Sequence, residues 1–185
     1  MDIECLNRLL AEWARLGVMF CVPPASQTPD VERLLLGTAR HGGADSRLFT
    51  MAAAWLSRYR ALVDGPRLAR LVRDDMASDD RPAMGLLLET AGGSDGGDLN
   101  DAIAACGTPG ESRPLFDVFR ERPAFAAVAE REATELSRKW GRWLTETRLR
   151  TDALRPYEWI IALNPSLVRR SPTRKPHVAA STEAN

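Results

Sequence analysis

Apolar side chains recur every three or four residues along the first part of the chain, which is the spacing of one face of an α-helix. The first series predicts a helix that begins at Asp2, a residue suited to capping a helix N-terminus, and ends before Pro23-Pro24. Its apolar face consists of Ile3, Leu6, Leu9, Leu10, Trp13, Leu16 and Phe20.

Four more helices of about 10–18 residues are predicted between Thr28 and Ala91. Their starts and ends are marked by short segments that are rich in Gly, Pro, Asp and Ser: Thr28-Pro29-Asp30, Gly42 to Ser46, Asp64-Gly65-Pro66 and Ser78 to Pro82. Because the connections are short, helices that follow one another along the chain are expected to be antiparallel neighbours.

Glycines separate this part of the chain from the rest. Residues 92–113 are predicted to be a flexible Gly-rich connection with one short helix, whose apolar positions include Leu99 and Ile103. After it, the apolar spacing predicts one long helix from Pro123 to about Thr147 and a last helix from Tyr157 to Leu163.

The pattern as a whole predicts an all-α fold, because the alternation typical of strands is nearly absent. We expect an irregular bundle or a short helical-repeat-like stack of about eight antiparallel helices, with a disordered C-terminal tail. The predicted regions are an N-terminal helical region at 1–91, the flexible connection at 92–113, a C-terminal basic helical region at 114–170 and the tail at 171–185. The predicted core consists of Leu6, Leu9, Trp13, Leu35, Trp55, Leu71, Leu87, Phe125, Leu136, Trp140, Trp143 and Trp159.

Composition places the chain among ordinary globular proteins. It has 185 residues, 44% of them hydrophobic, with 25 basic and 25 acidic groups. The three cysteines are far apart and form no Cys-x-x-Cys pair, which is typical of reduced thiols. The first residues are acidic, unlike a signal peptide, and no apolar run approaches the roughly 20 residues of a membrane span. We therefore expect a cytoplasmic protein without a membrane partner.

The charges are unevenly distributed along the chain. Residues 1–130 carry 14 basic and 19 acidic groups, a net charge of −5, whereas residues 131–175 carry 11 basic and five acidic groups, a net charge of +6. The predicted contacts to nucleic acid or to a protein partner are Arg131, Arg138, Lys139, Arg142, Arg148, Arg150 and Arg155. The alternative is that this face of the long helix forms ordinary ion pairs, with Glu135 between Arg131 and Arg138.

The sequence contains no recognisable catalytic or metal motif. The cysteines and the two histidines lack the spacing of a zinc site, and no Gly-Lys-Ser/Thr of a phosphate-binding loop is present. Asp74, Asp75, Asp79 and Asp80 can hold a metal ion, but caps and first-turn acids of the next helix are the simpler interpretation. We therefore predict no catalytic residue, no metal ligand and no cofactor.

His41 has two interpretations. A catalytic base would need a nucleophile and an orienting carboxylate nearby, whereas a histidine at a helix C-terminus simply interacts with the helix dipole. We favour the second. A pocket that brings His41 together with convergent acids, or a cleft carboxylate with a strongly raised pKa, would revive an enzymatic function based on acid–base chemistry.

The favoured hypothesis is a non-enzymatic helical protein-interaction module, or an accessory subunit of a larger complex, that binds another protein. The alternative is a nucleic-acid-binding regulator or accessory subunit that contacts the phosphates of DNA or RNA through residues 131–175. Trp140 and Trp143 bear on this choice, because tryptophans interleaved with basic residues can stack on bases. Their helical spacing with Leu136 favours a core position instead.

Overall fold

A buried pair of tryptophans lies at the centre of the N-terminal helices. In the computed structural model, which describes residues 3–18, 22–92, 97–108 and 111–143, the rings of Trp13 and Trp55 meet edge to face with centroids 5.5 Å apart. The indole Nε1 of Trp13 donates a hydrogen bond to the hydroxyl of Thr38 at 2.8 Å. This bond satisfies a polar group that would otherwise be buried without a partner.

The described residues are predominantly helical, at 69%, which confirms the helical part of the predicted fold class. The α-helices in these residues are α1 (Ile3–Arg15), α2 (Val31–His41), α3 (Ser46–Tyr59), α4 (Gly65–Asp75), α5 (Arg81–Gly92), α6 (Asn100–Ala105), α7 (Asp117–Arg120), α8 (Pro123–Arg131) and α9 (Glu135–Lys139). Short 3₁₀ helices occur at Arg60–Leu62 and Gly97–Leu99, and two short strands, β1 (Arg113–Pro114) and β2 (Arg142–Trp143), pair in parallel.

Aspartates cap the starts of α2, α3 and α4, and of these Asp45 is one of the two residues that the sequence predicts to open its helix. The side chains of Asp30, Asp45 and Asp64 each accept a hydrogen bond from a main-chain N–H in the first turn. The sequence predicts Thr28 as the cap of the first of these helices, but Asp30 is the capping residue, so the cap lies two residues further along the chain and α2 begins at Val31.

Helix α2 occupies the middle of this arrangement, in contact with α1, α3, α4 and α5. Helix α3 packs on α5, and α6 packs on α4. Leu9, Leu35 and Leu87 are buried as predicted, and Leu6 and Leu71 are partly buried against the same core. None of the described helices combines the length with the apolar composition that crossing a lipid bilayer requires.

The predicted long helix from Pro123 to Thr147 is wrong. Its described part is two helices, α8 and α9, followed by β2. The break has a local cause, because the hydroxyl of Thr134 accepts a hydrogen bond from the N–H of Ser137 and starts a new helix. Gly141, with a φ of 57°, then lets the chain leave α9 in a left-handed conformation that favours glycine.

This break also changes the predicted core. Trp140 is buried, and Leu136 packs partly buried against the core, but Trp143 is only half-buried. Phe125 is 43% exposed, so its placement in the core is wrong. The predicted apolar face runs across Thr134, where α8 has already ended and α9 begins. Trp159, the helix predicted at Tyr157–Leu163 and the tail predicted at 171–185 lie outside the described residues.

Trp140 joins the C-terminal elements to the N-terminal helices. A Cβ atom built on Gly85 of α5 would lie 2.3 Å from ring atoms of Trp140, so the indole packs directly against the helix backbone. Its Nε1 donates to Glu89 Oε2 at 3.1 Å. The absence of a side chain at Gly85 is therefore what allows α9 to approach α5 so closely.

Candidate functional site

Two of the predicted basic contact residues lie near the junction of α8 and α9. Arg131 is exposed, and its guanidinium lies 3.4 Å from a carboxylate oxygen of Glu132. Arg138 folds back over the end of α8, where its Nη2 donates to the main-chain oxygens of Glu130 at 2.6 Å and Arg131 at 3.1 Å. Arg138 therefore satisfies carbonyl groups that the end of a helix leaves without intrahelical partners.

Lys139, which is exposed, and Arg142, which is buried, also contact other parts of the chain. The ammonium group of Lys139 pairs with Glu89, the same carboxylate that accepts from Trp140. Arg142 is only 5% exposed, and its guanidinium donates to the main-chain oxygens of Glu111 at 3.0 Å, Gly141 at 2.9 Å and Asp79 at 2.5 Å.

Arg131, Arg138 and Arg142 do not share the face of one continuous helix, because Arg131 lies in α8, Arg138 in α9 and Arg142 in β2. Of the four basic candidates within the described residues, Arg131 is the one whose contacts are confined to an exposed ion pair. Arg148, Arg150 and Arg155 lie outside the described residues.

Helix α8 has an unusual surface for its composition. Its first seven residues, Pro123 to Ala129, are all apolar, yet Ala129 is the one buried residue of the helix. Phe125 is 43% exposed, and Val118 on the neighbouring α7 is 51% exposed. A surface helix normally turns its apolar residues toward the core, so this exposure needs an explanation.

A chain of aromatic rings supports Phe125 from below. Phe49 and Phe116 are buried with ring centroids 6.4 Å apart, Phe116 and Phe119 are also 6.4 Å apart, and Phe119 and Phe125 are 6.3 Å apart. The guanidinium carbon of Arg122 lies 5.4 Å from the centroid of the Phe125 ring. We call Val118, Phe119, Arg122 and Phe125 the Phe125 surface.

His41 is half-buried at the end of α2 and lines two cavities. The larger, of about 270 Å³, lies between α1 and α2, where its walls include Cys5, Glu12 and Asp75. Burial raises the pKa of Glu12, and the charge of Arg8 opposes that shift. The smaller cavity, of about 100 Å³, lies on the other side of His41 and has several arginines in its walls.

The four clustered aspartates between positions 74 and 80 pair with arginines or are exposed to solvent. Asp75 lies 3.6 Å from Arg33, and Asp80 lies 3.8 Å from Arg40. Asp74 and Asp79 are exposed. Within the part of the chain that the structure describes, no three His, Cys, Asp or Glu side chains are grouped so that they could hold a metal ion.

Two features of this region were missed by the reasoning from sequence. Phe125 is predicted in the core, although Thr134, a good capping residue close after Arg131, is a signal that the helix restarts. The arginines of the smaller cavity come from segments far apart in the chain, and no local spacing predicts that they meet. Comparisons of the chain with protein families, with curated proteins and with solved structures gave no match.

Proposed function

We propose that the chain is a non-enzymatic helical protein-interaction module, or the accessory subunit of a larger complex, and that it binds another protein through the Phe125 surface. The observation that carries this proposal is the exposed apolar side of α8. Exposed apolar groups that adjoin one another are typical of sites that a partner covers.

The aromatic support gives the surface the properties of a binding hot spot. Phe125 rests on Phe119, so the ring is held in place before binding and loses little conformational freedom when a partner arrives. Moving such a side chain from full exposure to full burial contributes about 1.5–3 kcal/mol, and a partner that covers Phe125, which is 43% exposed, gains a corresponding part of that amount. The partner chemistry that fits is an apolar side chain for Phe125 and Val118, with a carboxylate near Arg122.

The ion pairs of Asp75 with Arg33 and of Asp80 with Arg40 support a non-enzymatic function, because these carboxylates beside His41 are already engaged. An enzymatic alternative would rest on Glu12 and His41, which line the same cavity. Burial raises the pKa of Glu12 overall, and the charge of Arg8, 4.0 Å away, opposes that shift without reversing it, so this alternative rests on a carboxyl group that burial makes easier to protonate. We also propose, as the setting for this function, an irregular bundle with antiparallel neighbouring helices in the cytoplasm.

Site-specific photo-cross-linking in the native host tests the proposal. A photoreactive phenylalanine analogue at position 125 is expected to cross-link one defined protein. The same analogue at Ile3, an apolar residue that is 71% exposed on α1, is the matched control and should not capture it. Val118→Asp should abolish the cross-link from position 125. Equal capture from positions 3 and 125, or capture that survives Val118→Asp, would count against the Phe125 surface.

The nucleic-acid alternative would use the exposed Arg131, Arg138 and Lys139 and the predicted residues beyond 143, because Arg142 is buried. Titration with duplex and single-stranded DNA and RNA at low salt tests it. Binding that weakens steeply as salt increases would favour this alternative. Absence of binding to all of them would remove it and leave the protein-interaction proposal standing.

A further inference from the structure

The smaller cavity beside His41 has four arginines and three aspartates in its walls. Arg40 comes from α2, Arg113 from β1, Arg120 from α7 and Arg142 from β2. The strand pair brings two of them together, because Arg113 and Arg142 are register partners and Arg113 N–H donates to the oxygen of Gly141 at 3.0 Å. Like charges placed directly opposite each other on neighbouring strands are unfavourable, so this arrangement requires a compensating group.

The carboxylates of the cavity do not supply that compensation in full. Asp80 is engaged by Arg40 at 3.8 Å, and Asp117 forms an ion pair with Arg120. Asp79 is exposed and contributes its main-chain oxygen, not its carboxylate, to the hydrogen bonds of Arg142.

Two guanidinium groups of the cavity therefore have no carboxylate within ion-pair distance among the described residues. Within the described residues, Arg142 has no carboxylate within ion-pair distance, and its hydrogen bonds go to main-chain carbonyls, which do not neutralise it. Arg113 is half-buried, and its guanidinium has neither a hydrogen-bond acceptor nor an ion-pair partner among those residues. A buried cation is normally paired, because removing it from water carries a large desolvation penalty.

The two cations also repel each other and their neighbour. Burial lowers the pKa of Arg142, and the charges of Arg113 and Arg120 lower it further, against the opposing effects of Asp79 and Asp80. Burial and Arg113 likewise lower the pKa of Arg120. An anion between these groups would relieve the repulsion and receive charge-assisted hydrogen bonds at the same time.

We propose that this cavity binds a single oxyanion group, a phosphate or a carboxylate, between Arg113 and Arg142. The planar guanidinium of arginine suits both anions, because its N–H groups can approach two oxygens together. The volume of about 100 Å³ fits one such group, whereas pockets for larger ligands typically measure about 300–1,000 Å³. This proposal is independent of the Phe125 surface.

Isothermal titration of the full chain with inorganic phosphate tests the proposal, with sodium chloride at equal ionic strength as the blank. We expect saturable binding by the wild type. Arg113→Gln should weaken it about tenfold to a hundredfold, because a charge-assisted contact is lost without disturbing a described partner. Arg113→Lys, which keeps the charge, should recover part of the affinity. Arg15→Gln is the matched control, since Arg15 is also half-buried with no described partner, and it should bind as the wild type does.

Each outcome decides the proposal. Heat no greater than that of chloride, or equal affinities for the wild type and Arg113→Gln, would overturn it. Titration with O-phosphoserine and acetate then distinguishes the sources of the oxyanion. Binding of O-phosphoserine indicates that the cavity takes the terminal phosphate of a larger molecule. Preference for acetate indicates a carboxylate ligand, and binding of inorganic phosphate alone indicates the free ion. Thermal unfolding of Arg113→Gln without phosphate verifies that the variant is folded.

Discussion

The contact between Gly85 and Trp140 allows the packing of α9 on α5 to be tested by adding a single methyl group. In Gly85→Ala the new Cβ would lie 2.3 Å from two ring atoms of Trp140 and 2.5 Å from a third. The ring cannot move aside easily, because it is 3% exposed and its Nε1 is bonded to Glu89.

Two opposing effects set the magnitude. Replacing glycine by alanine inside a helix is favourable by about 0.5–1 kcal/mol. Overpacking of a filled core costs about 1–3 kcal/mol. Because the overlap involves three atoms of a rigid ring, we expect the overpacking to dominate and Gly85→Ala to lower the free energy of unfolding by about 1–2 kcal/mol.

Urea unfolding, extrapolated linearly to water, measures this change. Gly92→Ala is the matched control, since it lies in the same helix and its new Cβ would meet no atom within 4 Å. It should be neutral or slightly stabilising. In a Trp140→Leu background the penalty of Gly85→Ala should largely disappear. A Gly85→Ala protein as stable as the wild type would refute the packing of Trp140 on α5 and would reopen the stacking interpretation of that tryptophan.

Three further predictions concern the buried polar and titratable groups. Thr38→Val should lower the free energy of unfolding by about 1–3 kcal/mol, because it leaves the buried Trp13 N–H without an acceptor. Thr50→Val, which loses a hydrogen bond to the Ser46 oxygen, should lower it less, and urea unfolding measures both variants. The hydrogen bond from Arg47 lowers the pKa of Asp45 in the folded state, so the stability that this carboxylate contributes is present above the ordinary carboxyl range and is lost as the pH falls below it. Asp45→Asn should therefore flatten the acid side of a profile of unfolding free energy against pH, and an unchanged slope would contradict this. Burial raises the pKa of the Cys106 thiol to about 12, so few of these thiols are ionised at pH 8. Alkylation at pH 8, mapped by mass spectrometry, should modify Cys5 well before Cys106, and equal rates would contradict the burial of Cys106.

The N-terminal helices could be predicted from sequence because each start depends on neighbouring residues. Asp45 and Asp64 cap helices at the predicted breaks, and the apolar spacing that follows places Trp55 in the core. Such local signals are readable without knowledge of the rest of the fold.

The C-terminal elements could not be predicted in the same way. The apolar spacing from Phe125 to Trp143 is compatible with one helix, whereas the capping by Thr134 starts a second one. Local sequence supports both arrangements. The strand pair that brings Arg113 and Arg142 together involves two residues on each side, too few to produce an alternating pattern. For the same reason the burial of Arg142, which was expected on a basic outer face, depends on long-range contacts that spacing does not encode.

The central claim is that α8 recognises a protein through its apolar side and not through its basic end. Two variants of this one helix separate these possibilities: Phe125→Asp and Arg131→Glu, both at exposed positions. Affinity capture of the partner identified by cross-linking at position 125, performed with nuclease present, should be lost in Phe125→Asp and retained in Arg131→Glu. Retention in Phe125→Asp together with loss in Arg131→Glu would contradict the account.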